Sequence, residues 1–91
     1  MDKTTTSLKV FPNPTNLDNV KLTLDANFSD KSANLDVFNL QGKKLYTQHI
    51  SILSGRNEFD LTLPTTLSNN IYLIKVSTLE FVKSIKLVVK K

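Results

Sequence analysis

The alternation of apolar and polar residues with a period of two is the feature that most restricts how this chain can fold. In the segment NEFDLTL at residues 57–63, every second residue from Phe59 to Leu63 is apolar and the residues between them are polar. Successive side chains of a β-strand point to opposite faces of a sheet, so this pattern is typical of a strand with one buried face. The segment therefore predicts a strand.

Short runs of this kind fill the chain, and most are bounded by Asn, Asp, Ser, Pro or Gly. The seven runs cover residues 8–11, 19–24, 34–39, 44–50, 57–63, 71–78 and 81–90. Gly42 and Gly55 can adopt positive φ and mark turns between runs. Because helical periodicity is nearly absent, we predict an all-β fold, a seven-stranded antiparallel β-sandwich of the Ig-like kind, with a small barrel as the second choice. Residues 26–34 are predicted to form a loop or a single helical turn.

Length and composition set limits on what such a chain does. Ninety-one residues suffice for one domain with one core, and the absence of cysteine excludes disulfides and thiolate chemistry. No apolar run approaches the roughly 20 residues that a membrane helix needs. The net charge of +4 is modest. It is compatible with an acidic partner, but basic residues are not interleaved with exposed aromatics, so nucleic acid is not expected as a partner.

The residues with catalytic or metal-binding side chains do not form the pattern of an active site or a metal site in the sequence. His49 is the single histidine and lies within a predicted strand, where we expect it to face solvent. Glu58 and Asp60 share one face of a strand, and the apolar residues beside them indicate that this face is solvated rather than catalytic. Four further aspartates lack the spacing of a calcium-binding loop and predict weak calcium binding at most: Asp18, Asp25, Asp30 and Asp36. We therefore expect no enzyme activity and no cofactor.

Three segments stand in a distinctive order, namely LKVFPNPTN at residues 8–16, LDVFNLQGKKL at 35–45 and LSNNIYLIKVSTLEFVKSIKLVVKK at 67–91. Together they resemble the C-terminal sorting domain, type A, of cargo proteins of the type IX (Por) secretion system of Bacteroidetes. The residues that match the turns and the aromatic strand of that family are Pro12, Asn13, Pro14, Asn39, Gly42, Lys43, Asn70 and Tyr72. Asn39 stands where the family has an acidic residue, and Asn70 stands where it has a glycine. Asparagine still caps a turn and tolerates the left-handed conformation.

The resemblance implies a function outside catalysis. Such a domain ends a larger secreted protein, is recognised by shuttle components and by the outer-membrane translocon, and delivers its cargo to the medium or the cell surface through the periplasm. It also implies a cargo domain on the N-terminal side and a sortase-like peptidase that cuts the linker. We therefore expect residues 1–7 to be the remnant of a linker, with Met1 starting an excised piece, residues 8–91 to form the sorting domain, and cleavage to fall at Thr4–Ser7 or upstream.

The last predicted strand offers a physical basis for that recognition. Four lysines lie in the last nine residues of the chain, namely Lys83, Lys86, Lys90 and Lys91. If this strand forms an open sheet edge, a receptor could add a strand to it and complement its charge. Two alternatives are equally compatible with the sequence: recognition, or protection of the edge from aggregation by lysine. An open edge would also permit a weak dimer.

Two further hypotheses follow from the sequence. The first is an accessory adhesion or carbohydrate-binding β-sandwich of a surface protein, which the absence of tryptophan disfavours. The second concerns the segment FPNPTN at residues 11–16. Because proline cannot donate to a strand ladder, we expect this segment to end the first strand. We expect its role to be the geometry of the chain rather than contact with a receptor.

Overall fold

The structure is a computed structural model that describes residues 7–79 and 81–91. This part of the chain contains seven antiparallel strands arranged in two sheets. The strands are β1 Ser7–Phe11, β2 Val20–Ala26, β3 Asp30–Phe38, β4 Lys44–Ile52, β5 Gly55–Leu61, β6 Asn70–Ser77 and β7 Val82–Val89. One sheet has the order β1-β2-β5, and the other has the order β4-β3-β6-β7. This confirms the predicted seven-stranded β-sandwich, so the barrel alternative is wrong.

The core lies between the two sheets, and it is formed by the apolar residues that the alternation identified. Leu22 and Leu24 of β2 are fully buried, as are Leu35 of β3, Ile74 of β6 and Leu87 of β7. Each belongs to the apolar half of its run, because only one face of each sheet can be removed from water in a two-layer structure. The described residues contain no helix long and apolar enough to cross a membrane.

The segment 26–34 differs from the prediction of a loop or a helical turn. Strand β3 begins at Asp30, four residues before the predicted run, and only residues 27–29 connect it to β2. Its pairing with β4 shifts register between Asp30 and Ala33, and the Asp30 carboxylate accepts a hydrogen bond from the Ser32 N–H at 2.8 Å. This irregularity breaks the period of two and hides the first part of the strand from the sequence pattern.

The edges of the sandwich decide where another molecule can approach. Strands β1 and β7 end their sheets on the same side and contact each other. Between β1 and β2, the chain turns through Leu17 and Asn19, which both have positive φ, at 77° and 52°. The Phe11–Pro12 and Asn13–Pro14 peptide bonds are both cis. The hydrogen bonds of residues 13 and 15 to β7 show that the segment at residues 12–16 leaves the first sheet and approaches the last strand of the second.

Candidate functional site

The segment that follows β1 covers part of the edge of β7. The side-chain amide of Asn13 donates to the Lys86 carbonyl oxygen at 3.0 Å, and its Oδ1 accepts from the Val88 N–H at 2.9 Å. The Thr15 N–H donates to the Val88 carbonyl oxygen, and the Thr15 carbonyl oxygen accepts from the Lys90 N–H, both at 2.8 Å. Asn13 and Thr15 thus satisfy successive backbone groups from Lys86 to Lys90. We call this arrangement the clasp.

The sequence FPNPT suits this role because of what its prolines lack. Pro12 and Pro14 have no N–H, so the contacts with β7 are made by the side chain of Asn13 and the backbone of Thr15. Thr15 is buried, and its Oγ1 accepts a hydrogen bond from the Leu17 N–H at 3.0 Å, which fixes the turn into β2. The segment ends β1 at Phe11, as expected, and it also contacts β7, which the sequence did not indicate. The absence of receptor contact stays a prediction.

The clasp leaves the first half of the β7 edge uncovered. The clasp contacts show that the backbone N–H and C=O groups of Lys86, Val88 and Lys90 point away from β6, towards the free edge of the sheet. Val82 and Ser84 alternate in phase with these residues, so their backbone groups point the same way. Within the described residues, these two have no hydrogen-bonded neighbour on that side. Among the described residues, the open edge that the sequence analysis considered is therefore present over Val82–Lys86 and covered from there to Lys90.

The four lysines of the predicted recognition surface do not lie on one face. Lys86 and Lys90 are exposed and in phase along the outer face, four residues apart. Lys83 is half-buried, in phase with the core residues Leu87 and Val89 on the inner face. The Lys91 ammonium donates to the Thr65 carbonyl oxygen at 3.0 Å, and its N–H donates to Asn69 Oδ1 at 2.9 Å. Only Lys86 and Lys90 are presented together.

The turn at Gly42 has the geometry that its residues predict. Gly42 has a φ of 87°, in the region that favours glycine. Asn39 caps the turn, since its Oδ1 accepts from the N–H groups of Gln41 at 3.0 Å and Lys43 at 2.9 Å. The amide thus does the capping expected of it without a charge. The Lys43 side chain is exposed.

Asn70 and Tyr72 lie near that turn, on strand β6. Asn70 does not have positive φ and pairs with Val89 of β7, so its tolerance of the left-handed conformation is not used here. Its side chain instead accepts a hydrogen bond from the Ile71 N–H at 2.8 Å. Tyr72 is buried and donates from its hydroxyl to the Ser68 carbonyl oxygen at 2.8 Å. Together with Asn39, both border a shallow depression of about 300 Å³.

The other residues with chemical potential remain apart. His49 is exposed on β4, as expected for a solvent-facing strand residue. Glu58 and Asp60 are exposed on the outer face of β5, where the first lies 3.7 Å from Arg56 and the second 3.9 Å from Lys21. Among the described residues, no three histidine or carboxylate side chains come together in a way that would hold a metal ion.

Two buried polar residues were missed by the sequence analysis. Thr15 lies in a segment that contains no apolar pattern, so no signal identifies it. Asn57 is 8% exposed. Its side chain fixes the connection from β4 to β5 through four hydrogen bonds to backbone groups of Leu24, Leu53 and Gly55. A signal existed for Asn57, since it occupies an inward position, two residues before Phe59 and four before Leu61.

Comparison with known proteins gives a match to a family model and matches to solved structures. The family model described as "Secretion system C-terminal sorting domain" matches residues 9–90. The solved structure of PorZ, described as an essential bacterial surface component of the type-IX secretion system of Porphyromonas gingivalis, is similar with a TM-score of 0.66 and 18% identity. The similarity covers 93% of this chain and 12% of the PorZ chain, and at this identity it supports the Ig-like sandwich fold alone. No curated protein matches.

Proposed function

The chain belongs to the family of secretion system C-terminal sorting domains, and from this we propose that β7 is the element by which the secretion machinery recognises it. As a member of that non-catalytic family, it is a sorting signal of type IX secretion and marks its cargo as secreted or cell-surface. The proposed route leads through the periplasm to shuttle components and the outer-membrane translocon. The type A assignment stays a prediction.

The clasp is the observation that favours recognition over edge protection as the role of the lysines. Lysine guards a strand edge where backbone groups would otherwise be open to another strand. Asn13 and Thr15 already occupy the edge from the Lys86 carbonyl group to the Lys90 N–H. Because that stretch needs little further protection, the exposed ammonium groups of Lys86 and Lys90 are available to complement an acidic receptor.

The uncovered half of the edge adds a second recognition element. Over Val82–Lys86, a receptor strand can pair with outward backbone groups of β7, while Lys86 and Lys90 present charge beside it. Among the four lysines, these two are the ones we assign to the receptor. We assign Lys91 mainly to the attachment of the chain end to the loop at Thr65 and Asn69.

The same half-edge limits self-association to a weak dimer. An antiparallel pair centred on Ser84 would join only residues 82–86 of each copy, and isolated two-stranded contacts of this length are marginal in water. It would also bring the Lys86 side chains of two copies onto one continuous sheet. We therefore propose that the edge serves a receptor rather than a second copy.

Processing is proposed to occur before β1. Ser7 already pairs with Asp25 in the first sheet, and its hydroxyl lies 3.3 Å from the Asp25 carboxylate. A peptidase binds its substrate as an extended, unpaired segment, so Ser7 is a poor position for the cut. The rest of the candidate region, Thr4–Thr6, lies outside the described residues. Mass spectrometry of the secreted cargo tests this: a new terminus after Ser7 would contradict the proposal.

A reporter fusion tests the recognition proposal. The chain is fused behind a periplasmic reporter in a bacterium that has type IX secretion, and reporter activity is compared between medium and periplasm. We expect the double variant Lys86→Glu/Lys90→Glu to lower secretion about tenfold, because two charge reversals at a receptor contact cost on the order of 1.4 kcal/mol or more. The matched control is Lys9→Glu/Lys21→Glu, on the outer face of the other sheet.

The outcomes separate the two levels of the proposal. Thermal unfolding must show that both double variants remain folded. If the Lys86/Lys90 variant is secreted as well as the control, the recognition role of these lysines is wrong. If the unaltered fusion stays in the periplasm, the domain is not sufficient for sorting.

A further inference from the structure

The outer face of the four-stranded sheet carries a row of side chains that crosses all four strands. Lys44 of β4 pairs with Phe38 of β3, Phe38 pairs with Leu73 of β6, and Leu73 pairs with Lys86 of β7. At about 4.8 Å between strands, the two lysines lie on the order of 14 Å apart along the row. Two apolar residues thus lie between two basic ones. We call this row the basic–apolar strip.

Further residues extend the strip on both sides. Ile71 and Val88 pair with each other in the adjacent row, and Ile71 is 37% exposed. Lys75 is on the other side, and its ammonium lies 5.8 Å from the centroid of the Phe38 ring, while that of Lys44 lies 6.0 Å from it. Cations at this distance are attracted by the ring. The apolar residues are therefore bordered by ammonium groups rather than by neutral polar residues.

Within residues 7–79 and 81–91, the positive charge of this face is not balanced by carboxylates. Asp36 is the acidic residue on the same face, and it is already engaged by Thr47 Oγ1 at 2.6 Å and Lys44 Nζ at 3.6 Å. The outer face of the other sheet differs, since Lys9, Lys21 and Arg56 there are matched by three acidic residues: Asp25, Glu58 and Asp60. The excess of positive charge is thus concentrated around apolar side chains on one face.

We propose that the basic–apolar strip binds an acidic segment of a partner protein whose apolar side chains pack on Phe38 and Leu73. The inference deepens the proposed function and rests on it, because Lys86 belongs to both surfaces. It extends the contact from the last strand to the whole width of the sheet. Carboxylates of the partner pair with Lys44 and Lys86 at the two ends.

The geometry favours a protein over a lipid surface or a second copy. Phe38 and Leu73 are half-buried and bordered by longer lysine side chains, so they offer little apolar surface for insertion into a bilayer. The most exposed apolar side chain, Leu79, lies in the connection after β6 and outside the strip. Two copies that faced each other through this strip would oppose lysines with lysines.

A peptide titration of the isotope-labelled chain tests the inference. The probe is an eight-residue peptide that alternates glutamate and valine, and a peptide with lysine in place of glutamate is its control. We expect amide resonance shifts at Phe38, Leu73 and Lys86 with the acidic peptide alone. Lys86→Gln and Lys44→Gln should each weaken binding about fivefold, whereas Lys9→Gln, the same change on the other sheet, should not.

The position of Lys44 makes this test distinct from the secretion assay. Lys44 lies on β4, at the opposite edge from β7, so its loss affects binding only if the whole strip is used. Shifts confined to β7, equal losses in all three variants, or binding to phosphatidylglycerol vesicles but not to the peptide would each overturn the inference. None of those results would contradict the proposed function, which the reporter assay of the Lys86 and Lys90 variants tests separately.

Discussion

At the scale of single residues, Asn57 holds together the crossing from β4 to β5. Its Nδ2 donates to the carbonyl oxygens of Leu24 at 3.1 Å, Leu53 at 2.8 Å and Gly55 at 3.2 Å, and its Oδ1 accepts from the Leu53 N–H at 2.9 Å. Leu53, the first of the two residues between these strands, thereby obtains hydrogen bonds that no strand ladder can provide, while the Ser54 N–H donates to Ser29 Oγ at 3.0 Å. A buried amide side chain is favourable here because both its amino group and its carbonyl oxygen have hydrogen-bond partners.

We expect Asn57→Ala to lower the free energy of unfolding by about 3 kcal/mol. Alanine removes the bonds and leaves several backbone groups with reduced access to water and no partner, which costs more than the net value of the bonds themselves. Urea denaturation followed by circular dichroism measures the change. Asn34→Ala is the control, since Asn34 is half-buried on the outer face of β3. Equal losses in the two variants would show that Asn57 has no special role.

At the scale of elements, the clasp makes the first part of the chain a partner of its last strand. Asn13 is exposed, yet it bonds to two groups of β7 that are 73 and 75 residues away in sequence. Thr15 forms a parallel bridge with Val89. The edge of β7 is therefore closed at one end and open at the other, and the boundary lies at Lys86.

We expect Asn13→Ala to loosen the covered end of β7 selectively. The Val88 N–H loses its acceptor, so its hydrogen exchange should accelerate at least tenfold, while the free energy of unfolding falls by only about 1 to 2 kcal/mol because the site is exposed. Exchange followed by NMR measures both ends of the strand. Asn16→Ala serves as control, since the Asn16 side chain bonds locally to the Asp18 N–H. Unchanged exchange at Val88 would contradict the clasp.

The strands were largely predictable from the sequence, whereas the neighbours of each strand and the contacts at the sheet edges were not. A period of two determines which residues of a strand face the core, and it placed Leu22, Ile74 and Leu87 correctly. It contains no information about which strand lies beside which, because pairing depends on side chains far away in sequence. The clasp depends on Asn13 meeting β7, so the sequence marked a turn there and could not supply its contact.

At the scale of the whole molecule, the two sheets have different outer faces. That of β1, β2 and β5 has three basic and three acidic residues, whereas that of the other sheet combines lysines with apolar side chains. The sequence indicated a basic chain end but not this asymmetry. Lys44 and Lys86 are far apart in the chain and become members of one strip only through the order β4-β3-β6-β7. Composition alone could not have located it.

The chain end is also part of the folded structure, which affects how recognition should be tested. The Lys90 N–H donates to the Thr15 carbonyl oxygen, and Lys91 donates from its backbone to Asn69 and from its ammonium to Thr65. Removing both residues deletes three hydrogen bonds that attach β7 to the clasp and to the loop before β6. Loss of secretion after such a deletion would therefore mix loss of stability with loss of recognition.

We expect deletion of Lys90 and Lys91 to cost about 1 to 3 kcal/mol of unfolding free energy, and Lys90→Gln/Lys91→Gln to cost less than about 1 kcal/mol. The double substitution keeps the two backbone N–H donors and replaces only the ammonium groups, one of which is exposed to solvent on the outer face. Parallel urea titrations of the three chains give the difference directly. If the substitution destabilises as much as the deletion, the lysine side chains themselves hold the chain end in place. A loss of secretion in the substituted chain at unchanged stability would instead assign the ammonium groups to the receptor.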